Sequence, residues 1–155
     1  MRLSLLAVPL CSLFLLACTD DGEAHQENAQ LSSARDKFES SLTVSDSAYT
    51  FVIQRSCECT ADVARAMRAT VSDGEVISAI YVDTQADVPE ALWPRSIEGV
   101  FDQIQAAYDD DAFEINITYD IEQGFPRSVY IDFDDAAADE ELALQLSQVT
   151  PLLPG

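Results

Sequence analysis

Apart from carboxylates, the residue types that could carry chemistry are scarce in this chain. Its only histidine is His25, in a polar segment near the N-terminus, and its only lysine is Lys37. A histidine general base and a Ser-His-Asp triad are therefore not expected in the folded part, and we predict no catalytic residue. What stands out instead is a pair of cysteines, Cys57 and Cys59, with one residue between them.

Three kinds of chemistry are open to these cysteines: a metal site, thiol redox exchange and a structural disulfide. Two thiolates alone do not complete a tetrahedral zinc site. Redox motifs usually separate the cysteines by two residues and lower the thiol pKa at a helix start, whereas Glu58 and a strand surround this pair. We therefore predict a disulfide between Cys57 and Cys59. The alternative is a thiol-redox or other envelope enzyme that uses the pair.

This disulfide should also change the local backbone. Residues two apart in an extended strand have Cα atoms about 6.5–7 Å apart, which is the outer limit for a disulfide. Cys57 and Cys59 have the parity of Ile53, so their side chains leave the predicted strand on one face. Formation of the bridge is therefore expected to bend the strand and end its pairing.

The charge balance of the chain excludes some partners. It has 8 basic and 28 acidic residues, for a formal net charge of −20. Nucleic acids and anionic lipid headgroups bind basic patches, so neither is expected as a partner. The acidic runs, such as Asp109–Asp111, lack the EF-hand alternation of acids around a glycine, so we expect no metal and no cofactor.

Two arginines are the only basic residues in the second half of the chain. Arg95 follows Trp93-Pro94, and Arg127 follows Phe125-Pro126. One interpretation is that they neutralise neighbouring acids, and the other is that they contact an anionic ligand or a partner protein. Arg95 and Arg127 are therefore candidate partner contacts.

The N-terminus has the organisation of a secretion signal. Arg2 precedes a mainly apolar run from Leu3 to Leu16, and acids follow from Asp20. This order is typical of a secretory signal peptide, and the run is shorter than the about 20 apolar residues of a bilayer span. Residues 15–18 read Leu-Leu-Ala-Cys, which resembles the lipobox of bacterial lipoproteins.

The lipobox resemblance implies that residues 1–17 are removed and that Cys18 carries lipid. Two or more acyl chains anchor a protein stably, so the membrane is an expected partner through Cys18. Thr19 follows the cysteine, and by analogy with enteric-type bacteria this favours the outer membrane, facing the periplasm, over the inner membrane. Such a cell-envelope location is oxidising, which agrees with a disulfide.

Beyond the lipid site, composition divides the chain in two. Residues 18–32 are polar and are expected to form a flexible tether, and residues 33–155 are enough for a single domain. Helical spacing within that domain predicts a short helix over 32–42 and a longer amphipathic helix from the capping residue Ser96 to Tyr108. The tail 139–149 is expected to form a last short helix.

Alternating apolar residues predict the strands, and Asp73-Gly74 is a hairpin turn signal between two of them. The strands are expected over 47–57, 62–71, 75–83 and 112–120, with a return strand that ends near Phe133. The fold class is therefore α+β, with an antiparallel sheet of about five strands and two main helices on one face. A weak internal helix-strand-hairpin repeat pairs 48–53 with 112–117, and 80–83 with 129–132.

One ordered set of motifs resembles a known family. Its members are Tyr49 with Cys57-x-Cys59, Val71-x-Asp73-Gly74-x-Val76, Ile97-x-x-Val100-Phe101-x-x-Ile104, and Tyr119-Asp120 with Gly124-Phe125-Pro126-x-x-Val129 and Asp132. They are similar to the bacterial domain of unknown function 6174, over about Ala34 to Phe133. Members often occur on predicted lipoproteins, but the resemblance implies no activity, substrate or catalytic residue.

These observations favour one class of function over another. The scarcity of histidine and lysine and the acidic surface favour a lipid-anchored, non-catalytic envelope protein that binds another envelope protein or a ligand. An enzyme that uses Cys57 and Cys59 is the alternative, and no sequence feature identifies the ligand.

Overall fold

The computed structural model describes residues 21–42, 48–137 and 140–153, with side chains from Asn28 onwards. The predicted signal peptide of residues 1–17 and the predicted lipid-attachment residue Cys18 lie outside this part of the chain. The elements are, in chain order, α1 (Asp21–Ser41), β1 (Tyr49–Ser56), α2 (Ala61–Ala64), β2 (Met67–Ser72), β3 (Glu75–Tyr81), a 3-10 helix (Glu90–Leu92), α3 (Ile97–Asp109), β4 (Glu114–Tyr119), β5 (Pro126–Asp132) and β6 (Leu142–Pro151).

The described strands form one antiparallel sheet in the order β3-β2-β1-β6-β5-β4. The two main helices, α1 and α3, contact each other and share one core with the sheet. The predicted α+β class is confirmed, with six strands in place of about five. In each half of the chain a main helix precedes a three-stranded meander, and the halves meet where β1 pairs with β6.

This topology bears on the predicted internal repeat. Segments 48–53 and 112–117 fall on β1 and β4, which are each the first strand of their half. Segment 80–83 overlaps the end of β3, whereas 129–132 lies in β5. β3 is the third strand of its half and β5 is the second strand of its half, so segments 80–83 and 129–132 do not occupy equivalent positions.

The core lies on the helix side of the sheet, and β1 faces it with the predicted alternation. Tyr49, Phe51 and Ile53 are buried. In β3 the alternation is interrupted by a β-bulge, since Ile77 is an extra residue in the pairing with β2. A bulge changes which side chains face the core, so Ala79 and Tyr81 are buried, whereas uninterrupted alternation from Val76 would turn Ile80 inward.

The aromatic centre of this core joins both main helices to β1. Phe38 of α1 meets the Tyr49 ring edge-on at 5.5 Å and the Phe101 ring of α3 at 6.0 Å. Phe101 is fully buried, and its ring also stacks on that of Tyr119 at 6.4 Å. Ile115 and Ile117 of β4 are only partly buried at the margin of the core.

Helix α1 extends further toward the N-terminus than predicted. Residues 21–32, assigned to a polar tether from the sequence, are helical, and the domain boundary expected at residue 33 lies inside α1. The physical reason is that Leu31 is buried one turn before Ala34, and that Asn28 accepts a hydrogen bond from Gln105 of α3 at 3.2 Å. No helix in the described residues is long and apolar enough to cross a membrane.

One predicted strand begins later than expected, and one predicted helix is wrong in type. The expected strand over 62–71 begins only at Met67, because Ala61–Ala64 form the short helix α2. The expected helix over 139–149 is strand β6, which pairs with β1 on one side and β5 on the other. Its buried side chains alternate through three leucines, Leu142, Leu144 and Leu146, so one face of the strand meets the core.

Tyr49 connects β1 to the start of α3. Its hydroxyl donates to the Glu98 carboxylate at 2.5 Å and accepts from the Ile97 N–H at 3.0 Å. Burial raises the pKa of Tyr49 far above its ordinary value, and the hydrogen bond to Glu98 acts in the same direction. The Ser96 side chain caps the same helix by accepting from Gly99 N–H at 3.3 Å, as the sequence predicts.

The turn between β4 and β5 holds α1 through a glycine. Gly124 has a φ of +82°, and a Cβ built there would lie 2.4 Å from the carbonyl oxygen of Ala34. The same turn receives a hydrogen bond from the Lys37 ammonium to the carbonyl oxygen of Ile121. The turn and α1 are therefore in backbone contact at a point where no side chain fits.

Candidate functional site

A cavity lined by polar and apolar side chains lies at one end of the sheet, on the face that the helices cover. Its volume is about 290 Å³. The floor consists of inward side chains of β1, β2 and β6, namely Ile53, Met67, Leu142 and Leu144. The walls consist of Leu92, Trp93 and Pro94 from the segment before α3, Gln103 of α3, and Val63 of α2.

Three arginines complete the lining, and we call this site the arginine cavity. Arg55 lies on β1, Arg65 follows α2, and Arg95 directly precedes the cap of α3. Of the eight basic residues in the chain, three therefore line one cavity, whereas no acidic residue is among the described residues that line it. In a chain with 28 acidic residues, a lining whose charged side chains are all basic is unusual.

Arg65 is fixed in place by its own partners. It donates to the Asp83 carboxylate at 2.6 Å and to the Thr84 hydroxyl at 3.0 Å, and its guanidinium lies 3.9 Å from the centre of the Tyr81 ring. The hydrogen bond from Arg65 lowers the pKa of Asp83. One buried donor, the Nε–H of Arg65, has no hydrogen-bond partner among the described residues.

Arg55 and Arg95 differ from Arg65 in this respect. Both are exposed, and neither takes part in the ion pairs or side-chain hydrogen bonds found among the described residues. Arg55 has the parity of Ile53, so it continues the inward face of β1 past the end of the apolar core. Two guanidinium groups therefore adjoin an apolar floor, and neither makes an ion pair with an acid among the described residues.

The aromatic wall is rigidly held. The Trp93 indole N–H donates to the carbonyl oxygen of Val88 at 3.0 Å. Trp93 follows the 3-10 helix Glu90–Leu92 and precedes Pro94, and a proline fixes its own φ. Because its only polar hydrogen is already bonded, the indole can offer a ligand only its ring surface.

The predicted disulfide is present, and in the sequence it closely follows Arg55 of the arginine cavity. Cys57 and Cys59 are bonded, with Cα atoms 5.2 Å apart, less than the spacing of an extended strand. Strand β1 ends at Ser56, directly before the bridge. The expected bend and the expected end of the pairing are therefore both found, and the bridge follows Arg55 by two positions.

The two arginines singled out from the sequence do not meet. Arg95 lines the arginine cavity, whereas Arg127 is the extra residue of a bulge in β5, beside Thr118, Ser128 and Gln145. No sequence pattern predicted Arg55, Arg65 or Trp93 as site residues. The parity of Arg55 with the buried positions of β1 was the signal that could have found it.

The remaining sequence candidates add no site to the described residues. Within 21–42, 48–137 and 140–153, no group of three or more histidine, cysteine, aspartate or glutamate side chains is placed to hold a metal ion. Cys18 and its predicted lipid lie outside these ranges. The arginine cavity is therefore the arrangement that we consider for function.

Comparison with known proteins now adds the family. The family model described as "Family of unknown function (DUF6174)" matches residues 30–151. The chain belongs to this family. Its match includes Leu31, which the structure places in the core, and ends at the last residue of β6. Neither the curated proteins nor the solved structures contain a match to the chain.

Proposed function

We propose that this member of the family is a lipid-anchored, non-catalytic binding module of the bacterial cell envelope, and that the arginine cavity binds its ligand. The observation that carries the proposal is the set of three arginines around an apolar floor, without an acidic lining residue among those described. Ligand sites are typically apolar concavities with a few placed polar groups. An acidic protein that places two unpaired arginines, Arg55 and Arg95, beside a third arginine in one such cavity is suited to bind an anionic group.

The residue inventory supports binding in preference to catalysis. The only histidine, His25, precedes the sheet by more than twenty positions in the chain, and the only lysine, Lys37, is bonded to the turn at Ile121. Arginine remains charged in proteins and does not serve readily as a general base. The cavity therefore offers hydrogen-bond donors and an apolar surface, which are the components of recognition.

The N-terminal sequence supports the anchor and the location. The apolar run, the small residue Ala17 and Cys18 form the lipobox pattern, and the proposed membrane partner is reached through lipid on Cys18. Thr19 in place of an acid favours the outer membrane, facing the periplasm. The ligand of the arginine cavity would then be an envelope molecule or an exposed group of an envelope protein.

Native mass spectrometry of the full-length protein, purified from bacterial membranes, tests the binding proposal. We expect a co-purified species that dissociates under activation, and that is lost from Arg95→Ala. The control is Arg68→Ala, which removes the same charge outside the cavity, where Arg68 donates to Gln148 at 2.9 Å. A species that both variants retain equally, or none from the wild-type protein, would contradict a ligand in this cavity.

The anchor is tested separately by Cys18→Ser. We expect the variant to lose its lipid mass and to leave the membrane fraction, because the thiol that accepts the lipid is absent. Fractionation of the wild-type protein between inner and outer membranes checks the favoured location. Unchanged membrane partitioning of the variant, with no difference in lipid mass, would contradict the lipobox interpretation.

A further inference from the structure

We infer that the ligand of the arginine cavity is a small amphiphilic oxyanion: a carboxylate or phosphate-type head joined to an apolar body no larger than a ring or a short chain. This inference rests on the proposed function, since it takes the cavity to be the binding site. It goes further by naming the chemical class of the ligand. Different residues support the charged head and the apolar body.

The head group follows from the two arginines that have no acidic partner. Among the described residues, the ion pairs use Arg35 and Arg65, and Arg55 and Arg95 make none. A guanidinium is a planar fork of donors that matches the two oxygens of a carboxylate or phosphate. Arg65 is already paired with Asp83 and Asp62, which largely neutralise its charge, so the direct contact is left to the other two arginines.

The apolar body follows from the floor and the aromatic wall. Ile53, Met67, Leu142 and Leu144 are buried core residues whose side chains reach the cavity. The bound indole N–H of Trp93 leaves only apolar and stacking contacts on that wall. An inorganic anion would satisfy the arginines but would leave this apolar surface in water, so affinity for the head alone should be weaker.

The size and charge of the ligand follow from the cavity and from the whole chain. A volume of about 290 Å³ is at the lower limit for small-molecule sites, which excludes a two-chain lipid inside the cavity. The net charge of −20 repels extended polyanions. A small anion with one charged head interacts mainly with the nearby arginines, because salt screens charges beyond about 10 Å.

The single tryptophan provides a direct readout, since Trp93 is the only one in the chain and lines the cavity. We would titrate the full-length lipidated protein in a nonionic detergent with 3-phenylpropanoate and follow Trp93 emission. The matched probes are 3-phenylpropanamide, which lacks the charge, inorganic phosphate, which lacks the apolar body, and phenyl phosphate, which changes the head.

We expect saturable binding of 3-phenylpropanoate or phenyl phosphate, or both, at least about tenfold tighter than that of the amide or of inorganic phosphate. The stronger of the first two identifies the head. Binding should weaken with salt and should fall about tenfold or more in Arg55→Ala and in Arg95→Ala, but not in Arg68→Ala. Thermal unfolding of each variant confirms that the fold is retained.

Three results would overturn the amphiphilic class. The first is that the amide or inorganic phosphate binds as tightly as 3-phenylpropanoate and phenyl phosphate. The second is binding that is unaffected by both arginine variants, and the third is absence of binding by all four probes. The proposed function is judged independently by the co-purified species that depends on Arg95, so a chain that retains such a species but ignores these probes has a site of another ligand class.

Discussion

Strand β1 differs at its two ends, and the difference separates the residues that stabilise the fold from those that are available for binding. At one end, the Tyr49 hydroxyl is buried and makes two hydrogen bonds to the start of α3. At the other end, Arg55 has the same parity but meets no acidic partner among the described residues. Buried polar groups are normally paired, which makes the Tyr49 end structural. Arg55 is exposed and makes no ion pair with a described acid, so that end is open to a ligand.

The largest effect is expected from Phe101, whose buried ring contacts Phe38 of α1 and Tyr119 of β4. Phe101→Ala should lower the free energy of unfolding by about 3–5 kcal/mol, because it removes a fully buried ring and leaves a cavity. Urea unfolding measures this loss. The control is Phe113→Ala, whose ring is 60% exposed and should cost far less. Equal losses for the two variants would mean that Phe101 does not join the helices to the sheet.

The backbone contact between α1 and the β4–β5 turn should rank next. Gly124→Ala adds a Cβ that would lie 2.4 Å from the Ala34 carbonyl oxygen, at a φ of +82°. We expect a loss of about 2–4 kcal/mol, from strain together with overpacking. Thermal or urea unfolding measures it.

Gly74→Ala is the matched control for that glycine. Gly74 has a φ of +78° but has no atom within 4 Å of its added Cβ, so only the conformational strain remains. The difference between the two variants isolates the contact with α1. If Gly74→Ala were as destabilising as Gly124→Ala, the contact would contribute nothing measurable.

A smaller effect is expected for the hydroxyl of Tyr49. Tyr49→Phe keeps the ring but leaves the Ile97 N–H and the Glu98 carboxylate without this partner, for a loss of about 1–3 kcal/mol. Equilibrium unfolding checks the value. Tyr130→Phe is the control, since no hydrogen bond of the Tyr130 hydroxyl is found within the described residues. A Tyr49→Phe variant as stable as the wild type would mean that the hydroxyl contributes nothing measurable to the stability of the fold.

The smallest effect on stability is expected from the disulfide, which directly follows the Arg55 end of β1. The double variant Cys57→Ser, Cys59→Ser should lose no more than about 1.5 kcal/mol, because the closed loop is very short and constrains the unfolded chain little. The same double variant should also weaken binding of the anionic probe. The loss of binding free energy should exceed the loss of unfolding free energy, since the bridge fixes the backbone two positions after Arg55.

Mass spectrometry of the native protein, alkylated before reduction, checks the bridge itself. We expect no label on Cys57 or Cys59. Labelling of both residues would contradict the bridge in the native protein and would return attention to a thiol-redox enzyme or a metal site. The two outcomes differ in mass by the alkylating groups, so the measurement distinguishes them directly.

Local pattern predicted much of this fold, and particular segments show where it failed. The alternation of Tyr49, Phe51 and Ile53 identified β1, and the stripe from Ile97 to Tyr108 with its Ser96 cap identified α3. The leucines of β6 favour a helix by propensity. Pairing with β1 on one side and β5 on the other decided for the strand, and no local signal contains that pairing.

The sequence by itself determined the α+β class, the family, the cysteine bridge and the overall negative charge, because each depends on residue types or on short spacings. Only the tertiary structure brought Arg55, Arg65 and Arg95 around one apolar floor. These arginines belong to β1, to the segment after α2 and to the segment before α3, which are distant in the chain. Their proximity results from the order in which the strands pair and from the position of α3 over the sheet, and long-range pairing leaves no period in the local sequence.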